Sequence, residues 1–338
     1  MNKSILYYLA IYLTAGLNAC TGGGSSPAAS ESNILHKPPF AGVTDSIRDL
    51  PKDATLYLRR AELLSRTDNY ELASLDYKKS WELNPSEQSG QGWIACLSVL
   101  GKRDEKIKIL QECILKFPAS RDFPRMLGET LAEGRKTSEA LTLYNDLLQK
   151  DSLDFETWYE KGLLLEQLKD TAQAVQALRN AVALQPVNTY ALELAHLYAE
   201  SQNPLTLKLC DDIIANDFQK VLPDPFFIKG IYYSNIKKFD AAVIQFDSCI
   251  KRDWKFTDAY VEKGIAFFKQ KNYDEALNTF RLGATVSNTD PDAYYWIGRC
   301  YEAIKKKDDA ILNYERAVAL DKNFSEAREA LQRVRSGN

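Results

Sequence analysis

The side chains that most often carry out catalysis are scarce in this chain. It has only two histidines, His36 and His196, which lie far apart and provide little material for a metal site or a catalytic triad. Adjacent carboxylates such as Asp308-Asp309 fall on predicted helix surfaces or turns. The sequence has neither a glycine-rich phosphate loop nor a nucleophile elbow. We therefore predict that the protein is not an enzyme and that it needs no metal or cofactor.

Cysteine is the remaining reactive residue type, and the chain has six. Five lie in the repeated part of the sequence, an odd number without the spacing of a zinc site, and a disulfide framework is unusual in a chain of 338 residues. We interpret these five as small residues of the core. They are Cys96, Cys113, Cys210, Cys249 and Cys300.

The sixth cysteine, Cys20, follows a segment typical of a secretory signal peptide. Residues 1–19 contain one early charge, Lys3, and then an apolar run that is too short to span a bilayer comfortably. Leu17-Asn18-Ala19-Cys20 resembles the bacterial lipobox, and this resemblance implies that Cys20 becomes the mature N-terminus and carries a lipid. The alternatives are an ordinary cleaved signal peptide, with Cys20 incidental, and an uncleaved membrane anchor.

The residues after Cys20 bear on where such a lipoprotein would go. Thr21 stands where, in the best-known sorting rule, an aspartate retains a lipoprotein at the inner membrane. The lipobox resemblance therefore implies the outer membrane, and we expect its periplasmic face because no acidic run follows Cys20. Residues 20–53 begin rich in Gly and Ser and are expected to form a flexible tether, with half a repeat as an N-terminal cap between Gly42 and Leu50.

A repeat of 34 residues organises the rest of the chain. Residues 155–188 contain two amphipathic segments joined by a short polar turn, and small residues such as Gly162 and Ala174 allow two antiparallel helices to cross closely. The spacing therefore predicts helix pairs that recur every 34 residues. Glycines separated by multiples of 34 stand at positions 128, 162, 230, 264 and 298.

These residues resemble the tetratricopeptide pattern W-x2-L-G-x2-Y…A-x3-F…A…P, with Trp158, Gly162, Ala174 and Pro186 matching and Lys161 in place of the usual Leu. The resemblance implies an all-α fold, a right-handed α-solenoid of about eight helix-turn-helix repeats with a C-terminal capping helix. The repeats are placed at about 54–87, 87–120, 121–154, 155–188, 189–222, 223–256, 257–290 and 291–324, with the capping helix and tail at 325–338.

The fifth repeat departs from the pattern. His196 occupies the glycine position, and Asn203-Pro204 shortens the turn between the two helices. We interpret His196 as a packing substitution rather than as a ligand or an acid-base group. Because the second helix begins early and the following link is long, the sequence predicts locally irregular packing in this repeat.

The family resemblance also implies a place for a partner, because the first helix of each repeat lines a concave face in this family. An apolar strip with an arginine on that face would suit a helix or an extended peptide. The alternative is that these side chains only pack against neighbouring repeats. The Lys and Asn pairing of the family's carboxylate clamp does not occur here. The predicted partner-binding residues are Tyr159, Leu163, Phe227, Ile231, Val261, Ile265, Phe268, Tyr295 and Arg299.

Composition and charge narrow the function further. The chain is 45% hydrophobic and 26% charged, which is ordinary for a globular protein, and its formal charge of −3 disfavours a nucleic-acid binder. We expect a non-catalytic scaffold or adaptor of the bacterial cell envelope, anchored to a membrane by lipid on Cys20, that binds one or more envelope proteins. The alternative is an envelope lipoprotein that binds a small molecule or a glycan through the aromatic groove.

Overall fold

The computed structural model describes residues 34–336. Within that range the chain contains eighteen α-helices and no β-strand, which confirms the predicted all-α repeat fold. The signal-peptide segment 1–19 and the predicted lipidation residue Cys20 lie outside the described residues. The chain divides into two compact units, the first ending at Phe123 and the second beginning at Pro124.

The first unit contains one single helix, which has no partner helix within a repeat, followed by two helix pairs. Its helices are α1 (Ala41–Asp49), α2 (Ala54–Ser65), α3 (Tyr70–Leu83), α4 (Glu87–Val99) and α5 (Arg103–Lys116). The α1 helix lies where the sequence predicts half a repeat, between Gly42 and Leu50 at the end of the expected tether. Phe40, Val43 and Ile47 are buried, and Phe40 shares a core cluster with residues of α2 and α3. Residues 40–49 are therefore part of the folded unit.

A buried ion pair joins the two helices of the first pair. The Arg60 guanidinium on α2 donates to both carboxylate oxygens of Asp76 on α3, with Nη2 at 2.7 Å from Oδ1. Burial raises the pKa of Asp76 in spite of the neighbouring arginine. Arg60 is thus the group that allows a carboxylate to lie inside this helix pair, because an unpaired charge there would be costly.

The second unit begins within α6 and continues as helix pairs to the end of the described chain. Its helices are α6 (Asp122–Glu133), α7 (Thr137–Lys150), α8 (Phe155–Gln167), α9 (Thr171–Leu184), α10 (Asn188–Glu200), α11 (Leu205–Asn216), α12 (Asp224–Asn235), α13 (Phe239–Arg252), α14 (Thr257–Lys269), α15 (Tyr273–Val286), α16 (Pro291–Ala303), α17 (Lys307–Leu320) and α18 (Ser325–Ser336).

The repeated glycines explain how closely the two helices of a pair approach. A Cβ atom added at Gly162 would lie 2.7 Å from Cδ2 of the buried Leu178, and one added at Gly264 would overlap the fully buried ring of Phe280. A large side chain from the second helix of the pair therefore covers the glycine of the first. This is the close crossing that the 34-residue spacing predicts.

The turns inside the pairs also repeat. A residue in the left-handed region precedes most second helices, for example Lys169 at φ 61°, Lys271 at φ 62° and Lys305 at φ 60°. The backbone N–H of the following residue returns to the first helix, as Asn272 does to the carbonyl of Phe267 at 2.9 Å. The run Lys305-Lys306-Lys307 lies in such a turn and at the start of α17.

The repeat cysteines and His196 have packing roles. Cys96, Cys113, Cys210, Cys249 and Cys300 are all buried and form no disulfide in the described part of the chain, which confirms their interpretation as core residues. Burial raises the pKa of the Cys113 thiol to about 12, so this thiol stays protonated and unreactive at neutral pH. Burial lowers the pKa of His196.

The last helix covers the end of the second unit. Ala327 and Ala330 of α18 are buried in the same core cluster as Tyr314. Arg333 lies 2.9 Å from a carboxylate oxygen of Glu302, which also accepts a hydrogen bond from the Tyr314 hydroxyl at 2.6 Å. Burial alone would raise the pKa of Glu302, but the hydrogen bonds from Arg333 and Tyr314 outweigh it and lower that pKa.

Candidate partner-binding face

The first helices of successive repeats lie side by side in the second unit. The α10, α12, α14 and α16 helices each pack against the next of the four. The rings of Tyr159 on α8 and Tyr190 on α10 extend this row, with centroids 4.4 Å apart. We call the surface formed by half-buried side chains of α8, α10, α12, α14 and α16 the first-helix face.

The structure divides the predicted partner-binding residues into two groups. Phe227 and Val261 are only 4% and 9% exposed, and the Phe227 ring packs against Phe246 and Phe256. For these two, the packing alternative is favoured. The other seven side chains are half-buried, so part of each reaches the surface, and their role in partner binding stays a prediction. They are Tyr159, Leu163, Ile231, Ile265, Phe268, Tyr295 and Arg299.

Phe268, Tyr295 and Arg299 come together at one end of the face, around Trp296. The Trp296 ring contacts Phe268 and Tyr295 edge to face, with centroids 5.4 and 5.5 Å away. The Arg299 guanidinium lies 5.4–5.8 Å from the centroids of all three rings, and its Nη1 donates to the Tyr295 hydroxyl at 3.0 Å. These aromatic groups therefore already hold one guanidinium by cation–π contact.

Carboxylates that were not among the predicted partner-binding residues line the same face. Burial first, and then the charge of Glu129, raise the pKa of Glu160 to about 7, although Arg125 acts in the opposite direction. Burial and then Asp224 raise the pKa of Glu193. Carboxylates held in this way are disfavoured as anions because they lie near each other and away from water.

A second group of carboxylates lies further along the face. Burial first, and then the charges of Asp258 and Asp292, raise the pKa of Glu262 to about 7. Burial and Asp292 likewise raise the pKa of Asp258. A sequence signal was present, because Asp224, Asp258 and Asp292 are separated by exactly one repeat length.

The lysines of the same helices form hydrogen bonds with side chains of neighbouring second helices, not with these carboxylates. Lys161 Nζ donates to Asn145 Oδ1 at 2.7 Å, and Lys263 Nζ donates to Asp247 Oδ1 at 2.6 Å. In both cases the acceptor belongs to the second helix of the preceding repeat. The departure from the family pattern at Lys161 thus has a structural reason, which a contact with the Trp158 ring at 5.2 Å supports.

Other kinds of site find little support among residues 34–336. No three His, Cys, Asp or Glu side chains in that range lie close enough to hold a metal ion. No helix there has both the length and the apolar character needed to cross a membrane. A cleft of about 330 Å³ opens between α9 and α11, with Leu194, Tyr198 and Leu209 among its lining residues. It lies between the second helices of the fourth and fifth repeats, beside the repeat for which the sequence predicts irregular packing.

Comparison with protein families bears on the identity of these repeats. A tetratricopeptide-repeat family model matches residues 125–189 and 261–323, and a second tetratricopeptide-repeat model matches residues 54–87. The chain is a tetratricopeptide-repeat protein. Repeats of this family form scaffolds for interactions between proteins, so the first-helix face belongs to a protein of the adaptor type.

Known tetratricopeptide-repeat proteins resemble parts of this one. The peroxisomal targeting signal receptor of Kluyveromyces lactis is 22% identical over 204 residues, which are 59% of this chain and 35% of the receptor. DnaJ homolog subfamily C member 7 of Homo sapiens is 23% identical over 243 residues, 67% of this chain and 49% of that protein. The chain thus spans between a third and a half of the length of these relatives.

Solved structures show the same fold. A tetratricopeptide-repeat protein from Parabacteroides merdae superposes with a TM-score of 0.60 at 18% identity, covering 72% of this chain and 96% of that one. The type IV pilus biogenesis factor PilW superposes with a TM-score of 0.54 at 15% identity, covering 62% of this chain and 97% of PilW. At these identities the likeness concerns the fold alone.

Proposed function

We propose that this tetratricopeptide-repeat protein is a non-catalytic adaptor that gathers one or more proteins of the bacterial cell envelope. It holds a helix or an extended peptide of its partner on the first-helix face. The observation that carries the proposal is the strip of half-buried rings on consecutive first helices, with Tyr159 on Tyr190 at one place and Phe268, Tyr295 and Trp296 at another. Aromatic side chains are enriched where proteins bind each other.

We further propose that lipid on Cys20 anchors the adaptor at the periplasmic face of the outer membrane. The support is the sequence Leu17-Asn18-Ala19-Cys20 after an apolar segment, together with Thr21 in the position that governs sorting. Metabolic labelling with a palmitate analogue tests the anchor. Wild type should incorporate the label and Cys20→Ala should not. Equal labelling of the two proteins would contradict it.

Crosslinking capture from native cell envelopes tests the adaptor function. The variant carries Tyr159→Ala, Phe268→Ala and Tyr295→Ala, three changes at half-buried positions of the first-helix face. The matched control carries Ile244→Ala and Leu312→Ala, which are 61% and 64% exposed on second helices. We expect wild type and control to capture the same proteins and the face variant to lose them while retaining its helical circular dichroism spectrum.

Two results would contradict this function. If the face variant captures the same proteins as wild type, the first-helix face does not bind them. If wild type captures no protein, the adaptor proposal fails, and the binding of a small molecule or a glycan by the aromatic strip becomes the better account.

A further inference from the structure

We infer that the cleft between α9 and α11 binds a small amphiphilic anion, a ligand with a short apolar body and an anionic oxygen head such as a carboxylate. This site goes beyond the proposed function, because none of the predicted partner-binding residues lines the cleft. Three features carry it: an apolar floor, a tyrosine hydroxyl without a partner, and two cations at the rim.

The cleft opens where the fifth repeat departs from the repeat pattern. The buried residues of α11 include Thr206 and Ile213, which come 32 residues after the buried Ala174 and Ala181 of α9, two fewer than one repeat length. Only Leu205 precedes the first buried position of α11, whereas three residues precede it in α9. The α11 helix is thus shorter at its N-terminal end, and the cleft lies beside that end.

The floor of the cleft is apolar. Leu194 of α10 belongs to a buried cluster against which Val182 of α9 and Leu209 of α11 pack, and all three residues line the cleft. The volume of about 330 Å³ has room for about ten non-hydrogen atoms, because a water molecule occupies about 30 Å³ in the liquid. This space suits a short alkyl chain with a small head group, whereas a protein helix is about 10–12 Å wide.

The hydroxyl of Tyr198 is a free polar group in this floor. The Tyr198 side chain is only 5% exposed and lines the cleft, and its hydroxyl forms no hydrogen bond with any residue of the described range 34–336. It is not one of the enclosed polar atoms without a partner, so it reaches the open space of the cleft. By contrast, the equally buried Tyr260 donates its hydroxyl to the carbonyl of Trp254 at 3.0 Å.

Two cations stand at the rim of the cleft. Arg179 on α9 and Lys208 on α11 both line it and are exposed. Arg179 forms no hydrogen bond or ion pair with any described residue. Lys208 lies 3.0 Å from Asp212, but an exposed pair of this kind is weak. Because no Asp or Glu of the described chain lines the cleft, its rim is positively charged.

The three features favour one chemistry. A hydroxyl without an acceptor and two cations all gain from an anionic oxygen, and arginine can hold a carboxylate through two parallel hydrogen bonds. The apolar floor gains from an alkyl body that covers it. A neutral amphiphile of the same length would lose the charged contacts, and a cationic one would be repelled by the rim.

Isothermal titration calorimetry of the full-length protein at pH 8 tests this site. The probes are octanoate, octanol and octylamine, which share one alkyl chain and differ in the charge of the head. We expect octanoate to bind with a Kd below about 1 mM, as is reasonable for about ten non-hydrogen atoms. Octanol should bind at least about tenfold more weakly, and octylamine should not bind.

Variants of the lining locate the binding. Ala183→Trp places a large ring at the cleft and should abolish the binding of octanoate and octanol alike. Tyr198→Phe keeps the ring that packs in the floor and should weaken octanoate about three- to tenfold. The double variant Arg179→Gln, Lys208→Gln should reduce the affinity for octanoate to about that for octanol.

Matched controls change the same residue types elsewhere. Ala172→Trp adds the same ring at an exposed position of α9 that does not line the cleft. Arg103→Gln with Lys251→Gln removes one arginine and one lysine charge from exposed positions of other second helices. Both controls should bind octanoate as wild type does, and all variants should retain the helical circular dichroism spectrum.

Three results would overturn the site. They are equal affinity of wild type for octanoate and octanol, no detectable heat with octanoate at about 1 mM, and equal weakening of octanoate by the cleft variants and their controls. None of these results bears on the adaptor function, which is tested by the capture of envelope proteins through the first-helix face. Loss of that capture would in turn leave octanoate binding in the cleft unchanged.

Discussion

Replacement of Glu160 by glutamine should stabilise the protein at pH 8 and have little effect at pH 5. Burial first, and then the charge of Glu129, raise the pKa of Glu160 from its usual 4.5 to about 7, with Arg125 opposing the shift. An acid whose pKa is raised on folding opposes folding above its ordinary pKa, because the folded state disfavours its anion, and the cost is complete above the raised pKa. The cost therefore shrinks as the pH falls from about 7 towards the ordinary value of 4.5, and little of it is left at pH 5.

The size of the effect follows from the shift. The change from 4.5 to about 7 corresponds to about 3 kcal/mol. Solvent reaches part of the Glu160 side chain, and screening reduces the expected gain to about 1–2 kcal/mol. For a folding unit of about 200 residues, this corresponds to a rise in the melting temperature of about 2–8 °C.

Thermal unfolding followed by circular dichroism, at both pH values, measures this difference. Hydrogen exchange of the α8 amides reports the local stability of the helix that carries Glu160. The matched control is Glu139→Gln on α7, which removes an exposed carboxylate 3.6 Å from Lys136. A Glu160→Gln protein that melts below wild type at pH 8, or that gains equally at both pH values, would refute the reasoning.

Three further substitutions test the packing. Gly264→Ala should lower the free energy of unfolding in chemical denaturation by about 1–3 kcal/mol, because its Cβ would overlap a buried ring. Gly42→Ala, which has open space around it, should not lower it, and equal effects of the two changes would contradict the close crossing. Arg60→Met should lower the free energy of unfolding by about 3–5 kcal/mol, because it leaves Asp76 buried without its cation. The double variant with Asp76→Leu should recover most of this loss, and no recovery would contradict the pairing. Lys271→Gly should raise the melting temperature, corresponding to about 1 kcal/mol, because glycine adopts the left-handed conformation without strain; a lower melting temperature would contradict this.

The repeat fold could be predicted because its signal lies in the chain itself. Glycines such as Gly162 and Gly264 recur at the repeat length, and only a small residue fits where a large buried side chain covers the first helix. The five repeat cysteines could be assigned to the core for the same reason. The helix over Ala41–Asp49 coincides with the half-repeat expected between Gly42 and Leu50, although it follows a Gly- and Ser-rich segment and its apolar residues are few.

The partner-binding face was only partly predictable. Repeat positions identify Tyr159 and Phe268, but the same positions in other repeats give Phe227 and Val261, which the structure buries. Position within a repeat fixes the direction of a side chain, whereas its exposure depends on the size of its neighbours. Phe227 is buried because two phenylalanine rings lie against it.

The carboxylates illustrate a different limit. Asp224, Asp258 and Asp292 each stand in the first turn of a helix, where a negative charge also interacts favourably with the helix dipole. Their regular spacing therefore has a structural explanation that the sequence alone does not separate from a binding role. The raised pKa of Asp258 and the closeness of Glu262 become apparent only when neighbouring repeats are packed together.

Hydrogen exchange of the full-length protein with and without a protein captured from cell envelopes is the most direct test of the central claim. We predict that the captured protein protects amides of the first helices α8, α10, α14 and α16 and leaves the second helices α9, α13, α15 and α17 unchanged. Protection confined to the second helices, or absent from all of them at saturating partner, would contradict the assignment of the first-helix face as the binding site.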